Sequence, residues 1–185
     1  MKIESKIYAL MTADKFVLKI IEVTDPYNPE ETSSYGVDVR ADSVRIMEKN
    51  AKIYALVAAI STVQGLKIID ITDPSKPVLT SNITIGTAYS ISIMQKEANI
   101  YVLMADVSRG MKIIEIADTL NPLLVGNYTT TNALGVCSMV LKQKIYALIA
   151  DGGAGLKIIE VTNPYNPVLM GSIDTDGFAR KVITK

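Results

Sequence analysis

Residues 155–167 read GLKIIEVTNPYNP, an apolar run that leads into a turn with two prolines. The pattern occurs four times in the chain. Its copies start at Leu18, Leu66, Met111 and Leu156, which are 48, 45 and 45 residues apart. Self-similarity at a fixed period of this size is the signature of a repeat architecture. The stretch therefore predicts a protein built from four copies of one unit.

A second motif, an isoleucine-tyrosine pair followed by small and aliphatic residues, precedes each copy of the first. It begins at Ile7, Ile53, Ile100 and Ile145, so its spacing is 46, 47 and 45 residues. Short runs of β-branched and aromatic residues bounded by Gly, Asp, Asn or Pro are typical of strands. Apolar residues at successive positions indicate burial on both faces of the sheet. Both motifs therefore predict buried strands.

Two weaker runs complete each unit. Polar residues interrupt the apolar ones in 168–173, as in a half-exposed outer strand, and small residues flank the aliphatic ones in 90–93, as in an inner strand near a central axis. Four antiparallel strands in about 45 residues describe a propeller blade. We predict an all-β propeller of four four-stranded blades, either a closed four-bladed ring or a four-blade portion of a larger propeller. A sandwich would not require the same strand sequence four times.

The repeats divide a single domain into units with approximate boundaries 1–40, 41–87, 88–132 and 133–178. The chain begins on a strand of the second type, and residues 179–185 match the start of an inner strand. An open sheet edge invites pairing with another strand. We therefore expect 179–185 to supply the inner strand of the first blade.

The unit resembles the LVIVD repeat, a propeller-forming repeat of surface and secreted proteins of bacteria and archaea. The resemblance rests on a Gly-Leu-x-Ile-Ile-Asp strand with an Asp-Pro-x-x-Pro turn at 65–77, and on a similar strand, turn and Gly-Ser outer strand at 155–173. Residues 117–119 depart from the pattern because the first turn proline is absent. The resemblance implies a propeller and an extracellular or cell-surface location, and it implies no particular activity.

The charge balance argues against two classes of partner. The chain has 19 basic and 19 acidic side chains, so no electrostatic preference for nucleic acid or anionic lipid is expected. No signal peptide is recognisable at the start. No apolar run approaches the roughly 18 residues of a membrane span. We expect neither nucleic-acid binding nor membrane insertion.

The chain contains no histidine. The usual general base, the Ser-His-Asp triad and most zinc and haem sites require histidine, so none of them is expected here. A calcium ion needs six to eight oxygen ligands, and no loop is densely acidic. We predict no cofactor, no metal and no catalytic residue, although chemistry by carboxylates alone stays open.

Polar residues that recur with the repeat have a structural explanation. An Asp or Asn before each turn is expected to accept a hydrogen bond from its own turn. Each third strand also carries a lysine and an acid, and we expect exposed charge pairs worth about 0 to 1 kcal/mol each. These pairs are Lys19 with Glu22, Lys67 with Asp70, Lys112 with Glu115 and Lys157 with Glu160.

The residues that do not repeat are the candidates for function, because repeat scaffolds diverge on their binding face. The predicted binding face comprises Tyr35, Arg40, Asp42, Tyr89, Arg109, Asp151, Asp176 and Arg180. Mixed charge and tyrosine suit a protein or carbohydrate partner. The leading hypothesis is a non-catalytic scaffold or binding module. One alternative is a carboxylate-dependent hydrolase or lyase with its site at the central opening, and another is a structural segment of a cell-surface or surface-layer protein.

Overall fold

A computed structural model describes residues 1–13, 17–38, 40–61 and 64–184. Blade 1 comprises β1 (Lys2–Ile3), β2 (Lys6–Ala13), β3 (Val17–Glu22) and β4 (Glu30–Gly36). Blade 2 comprises β5 (Ala41–Lys49), β6 (Lys52–Ser61), β7 (Gln64–Asp70) and β8 (Val78–Ile83). Blade 3 comprises β9 (Ala88–Lys96), β10 (Asn99–Asp106), β11 (Gly110–Glu115) and β12 (Leu123–Tyr128). Blade 4 comprises β13 (Gly135–Leu141), β14 (Lys144–Ala150), β15 (Leu156–Glu160) and β16 (Val168–Ile173).

Each blade is a separate four-stranded antiparallel sheet whose strands pair in chain order. The prediction of an all-β fold with four four-stranded blades is confirmed. In every blade the register between the third and fourth strands shifts at the repeated Ile-Ile pair, for example between Ile68 and Ile69. Such a bulge bends a strand and increases its twist. None of the described residues forms a helix that is long and apolar enough to cross a membrane.

The turns behave as the sequence predicts. The Asp25 carboxylate accepts a hydrogen bond from the Tyr27 N–H at 2.9 Å, and Asn163 accepts one from the Tyr165 N–H at 3.2 Å. The Asn28 side chain donates a second bond to Asp25, and together these bonds lower the pKa of that carboxyl. The polar residue before each turn therefore stabilises the turn itself, and this structural role explains why it recurs.

Contacts between neighbouring blades form the core. We call the side of each blade that faces the following one its front face and the opposite side its back face. Between blades 2 and 3, the front face contributes Tyr54 and Leu56 and the back face contributes Val102 and Met104. Equivalent clusters join blades 1 and 2 and blades 3 and 4. Because the middle strands of blades 2 and 3 pack against both neighbours, their successive residues are apolar, which explains the run that the sequence shows.

The described array is open between blades 4 and 1. Met11, on the back face of blade 1, is 46% exposed, whereas Val57 and Met104 at the equivalent position are 0% exposed. At the other end, Ile173 on blade 4 is 62% exposed, whereas the equivalent Ile83 packs against the core between blades 2 and 3. The fold is therefore a four-blade portion of a propeller.

The C-terminal segment does not supply the inner strand of blade 1, which corrects the expectation for 179–185. That position is taken by the short β1, which pairs with the first residues of β2. Ala179 instead exchanges backbone hydrogen bonds of 3.1 and 2.9 Å with Gly152 of blade 4, and the Thr184 hydroxyl donates to the Ser138 carbonyl at 3.2 Å. These bonds hold the segment beside blade 4; residue 185 lies outside the described residues.

Two of the repeated lysines are buried, contrary to the expectation of exposed charge pairs. Lys112 is 6% exposed and pairs with the fully buried Asp106, which also accepts the Ser108 N–H at 3.1 Å. Lys67 is 4% exposed and lies 3.9 Å from Asp38. Both lysines lie on the packed back face of their strands, so their charges need a partner.

The acids at the strand ends pair elsewhere. Three of the four take a lysine from the start of the second strand of their own blade: Glu22 with Lys6, Asp70 with Lys52 and Glu160 with Lys144. Blade 3 has Asn99 at the lysine position, and Glu115 accepts a hydrogen bond from the Tyr165 hydroxyl at 3.5 Å. The hydrogen bond and charge of Glu160 raise the pKa of Lys144, and the hydrogen bond from Lys6 lowers the pKa of Glu22. These pairs are well exposed, so each contributes little to stability.

Because the array is open beside blade 1, two substitutions at equivalent positions are expected to lower the free energy of unfolding by different amounts. We expect Met104→Ala to lower the free energy of unfolding by about 2 to 5 kcal/mol, because it leaves a cavity between blades 2 and 3. Met11→Ala, at the same repeat position, is expected to change it by roughly 0.5 kcal/mol. Urea denaturation followed by circular dichroism measures both values. Equal losses would mean that blade 1 is covered in solution.

The buried pair of Lys112 and Asp106 predicts that removing one charge destabilises the protein more than removing both. Asp106→Ala leaves the Lys112 ammonium buried without its carboxylate and is expected to cost about 3 to 5 kcal/mol. The double variant Asp106→Ala/Lys112→Met removes both charges and is expected to recover most of that loss. Glu160→Ala, which breaks an exposed pair, serves as the control at about 0 to 1 kcal/mol. A double variant no more stable than Asp106→Ala would contradict this assignment.

Candidate functional site

A cavity of about 580 Å³ lies where the starts of the inner strands meet. Its walls come from the first residues of β5, β9 and β13, from the C-terminal segment and from the middle of β2. Pockets of roughly 300 to 1,000 Å³ are the usual size for small-molecule sites. We call this the axial cavity.

Hydrogen bonds between neighbouring inner strands hold the cavity wall together. The Ser43 hydroxyl accepts the Ile91 N–H at 3.4 Å, and the Ser90 hydroxyl accepts the Val136 N–H at 3.3 Å. The Ser138 hydroxyl donates to the Ile93 carbonyl at 3.0 Å. Small hydroxyl side chains let the strands approach closely while satisfying buried backbone groups. The repeated serines thus set the frame of the cavity.

Four of the predicted face residues line this cavity: Arg40, Asp42, Tyr89 and Arg180. Asp42, Tyr89, Leu134 and Arg180 occupy the same position in four successive inner segments, and all four line the cavity. The repeat therefore brings them together at one end of the axis while leaving their identity unconstrained.

Asp42 and Tyr89 are each the extra residue of a β-bulge. The pairing of β5 with β6 passes from Ala41 to Ser43 without a partner for Asp42, and the pairing of β9 with β10 passes from Ala88 to Ser90 without a partner for Tyr89. Bulges next to sites re-aim a side chain that the regular alternation would place elsewhere. Both side chains thereby reach the cavity rim.

Arg40 holds the Asp42 carboxylate in one orientation. Arg40 Nε donates to Oδ1 at 2.8 Å and Nη2 donates to Oδ2 at 2.7 Å. Such a two-pronged contact fixes both the position and the plane of a carboxylate. The Asp42 side chain stays 29% exposed, so its oxygens can also reach solvent or a ligand.

The other four predicted face residues lie outside the cavity lining. Asp151 is fully buried, accepts the Asn132 N–H at 2.7 Å and the Thr131 hydroxyl at 3.2 Å, and lies 3.5 Å from Lys157 Nζ. Its oxygens therefore hold the crossover into blade 4. Tyr35 on β4 packs against the core between blades 1 and 2. Arg109 and Asp176 are exposed.

Two charged cavity residues, Arg45 and Lys181, were not among the residues predicted from the sequence. Arg45 occupies the inner-strand position that holds Ser92 and Cys137 in the following blades. A long cation among small residues was a usable signal, because an inner strand near the axis otherwise favours small side chains. Lys181 stands one residue after Arg180 and carried no comparable signal. Among the described residues, no group of three acidic or thiol side chains is placed to hold a metal ion.

Solved structures with the same fold are carbohydrate-cleaving enzymes. An exo-beta-1,3-galactanase from Phanerochaete chrysosporium, solved with beta-1,3-galactotriose, aligns with a TM-score of 0.64 at 12% identity over 94% of this chain and 48% of that chain. A beta-xylosidase/alpha-arabinofuranosidase from a compost microbial metagenome gives 0.57 at 11% identity over 92% and 75%. The arabinanase of Bacillus subtilis gives 0.54 at 14% identity over 93% and 78%. This chain thus spans about half of the galactanase and three quarters of the other two.

These likenesses establish the fold and overturn the leading hypothesis of a non-catalytic scaffold or binding module. That hypothesis rested on the divergence of the loops and on the missing catalytic apparatus, histidine included, yet solved structures of this fold include sugar-cleaving enzymes, and glycosidases use carboxylates. The interpretation with a carboxylate site at the central opening is the better supported of those that the sequence left open.

Comparison of sequences identifies the repeat. No curated protein matches the chain. The LVIVD repeat matches it three times, at residues 41–84, 85–130 and 138–175, which together cover blades 2, 3 and 4. The expected resemblance is confirmed, and the chain belongs to the LVIVD repeat family.

Proposed function

We propose that this protein cleaves glycosidic bonds in the axial cavity, with Asp42 as its essential carboxylate. The observation that carries the proposal is the placement of Asp42 on a bulge at the cavity rim, with its carboxylate oriented by Arg40 through two hydrogen bonds. The fold shared with a galactanase, a xylosidase and an arabinanase supports a carbohydrate as the substrate.

Hydrolysis of a glycosidic bond needs one group to act on the anomeric carbon or on the attacking water and another to protonate the leaving oxygen. Asp42 takes the first role, because it is the carboxylate of the cavity lining and its orientation is fixed. As a general base it accepts a proton from water while the water oxygen bonds to the anomeric carbon. The bond from that carbon to the leaving oxygen then breaks.

Tyr89 takes the second role. It occupies the position equivalent to Asp42 on the neighbouring blade and stands on the equivalent kind of bulge, so both side chains reach the same cavity. Its phenol donates the proton that the leaving oxygen needs, and tyrosine is among the side chains that serve as general acids. Exchange of protons with solvent restores both groups after product release.

Arg40 is a positioning residue in this scheme. A lysine at position 40 would keep the charge and lose the two-pronged geometry that orients the carboxylate. Arg40→Lys is therefore expected to reduce kcat while leaving the free energy of unfolding nearly unchanged, whereas a purely structural role would lower both.

Substitution of Asp42 tests the proposal directly. Release of reducing ends is measured on β-1,3-galactan, xylan, arabinan and polygalacturonate, because the fold gives no reason to choose one of them in advance. Asp42→Asn keeps the shape of the side chain and is expected to lower kcat on the cleaved substrate by about 10² to 10⁴-fold.

Asp176→Asn is the matched control, since Asp176 is an exposed aspartate outside the cavity lining, and it is expected to retain full activity. Circular dichroism and thermal unfolding confirm that both variants fold. Full activity in Asp42→Asn, or release from none of the polysaccharides by the unaltered protein, would refute the proposal.

A further inference from the structure

The axial cavity carries an excess of positive charge. Among the described residues that line it, Arg40, Arg45, Arg180 and Lys181 are cationic and Asp42 is acidic. Arg40 pairs with Asp42. The chain as a whole has no net charge at pH 7, so the excess is a local property of this cavity.

The three remaining cations are available to a ligand. None of them takes part in an ion pair with a described carboxylate: Arg45 donates one hydrogen bond to the Val44 carbonyl at 2.9 Å, and Arg180 stacks over the Phe178 ring at 5.1 Å. All three side chains are exposed, so each retains donors that point to solvent. Guanidinium groups in this state bind planar carboxylates through paired hydrogen bonds.

The wall formed by β2 has the opposite character. Leu10 and Met11 contribute apolar surface there beside Thr12, and Tyr89 adds an aromatic ring from the inner strand of blade 3. A sugar ring presents C–H groups on its faces and polar groups at its edge. A cavity that combines apolar surface with cationic side chains therefore suits a sugar whose edge carries negative charge.

We propose that the axial cavity selects an acidic glycan, one whose sugar units bear carboxylates, and binds those carboxylates through Arg45, Arg180 and Lys181. The inference rests on the proposed cleavage of glycosidic bonds for the choice of a glycan, and on the cavity charge for the choice of an acidic one. A neutral glycan would leave three cations without partners inside the site, and such a mismatch lowers affinity.

Methyl esterification supplies a matched ligand pair. Oligogalacturonate of defined length and its fully methyl-esterified form share the same sugar rings and differ in charge. Binding of both is measured by isothermal titration calorimetry, with Tyr89→Phe as the common background, because this variant lacks the proposed proton donor and keeps the Arg40–Asp42 pair. The free acid is expected to bind at least about tenfold more tightly than the ester. Its affinity is expected to fall as salt is raised from low to physiological concentration.

Charge removal at the cavity is compared with equal charge removal elsewhere. Arg180→Ala/Lys181→Ala is expected to weaken binding of the free acid by at least about tenfold and to leave the ester unchanged. Lys2→Ala/Lys76→Ala removes the same charge from exposed residues outside the cavity lining and is expected to bind as the background does. Thermal unfolding of both double variants shows that they remain folded.

The outcomes separate this inference from the proposed function. Selective binding of the free acid without cleavage by the unaltered protein would support the acidic ligand and refute the enzyme. Cleavage of a neutral polysaccharide, together with equal binding of acid and ester, would support the enzyme and overturn the acidic ligand. Equal losses in the two double variants would also overturn it, because the effect would then come from net charge and not from the cavity.

Discussion

Packing of the front face of one blade on the back face of the next is the constraint on which the rest of the structure depends. In blades 2 and 3 the middle strand contacts both neighbours; in blade 2, Ala55 and Val57 pack toward blade 1 while Tyr54 and Leu56 pack toward blade 3. A strand buried on both sides must be apolar at every position. Because the same contact is made at each step, the sequence that makes it has to repeat, and the repeat is a consequence of this packing.

The same constraint separates scaffold from site. The size of each residue within the blade contacts is constrained by the residues packed against it. The inner-strand serines are constrained by their hydrogen bonds to the next blade. The preceding repeat position lines the cavity, and an aspartate, a tyrosine, a leucine and an arginine occupy it in turn. Bulges at Asp42 and Tyr89 extend this freedom, since an unpaired residue is released from strand alternation.

The fold was predictable because the repeat period and the pattern of apolar residues involve many residues at once. Individual side-chain contacts were not predictable, because each depends on one pair of residues. From the sequence, Lys112 was expected to be an exposed lysine. In the structure it pairs on the buried back face with Asp106, six residues earlier in the sequence. Asp151 looked like a loop acid and proved to hold a crossover. The path of 179–184 depends on backbone bonds to Gly152, which no side-chain pattern encodes. Of the site, four lining residues were predictable because they differ between copies.

The open side of the array shapes the chemistry of the cavity. In blades 2, 3 and 4 a full inner strand lies between the axis and the second strand, and it presents small residues such as Ser43 and Ser90. Blade 1 has the short β1 in that place, so Leu10 and Met11 of β2 form the wall directly. The β2 side of the cavity is therefore mostly apolar, and the charged residues come from the start of blade 2 and from the C-terminal segment. A ligand bound there has its orientation decided by this difference, because its apolar face gains from burial against β2 and its charged edge gains from hydrogen bonds to those residues. The absence of a full inner strand in one blade is thus what gives the cavity two unlike walls.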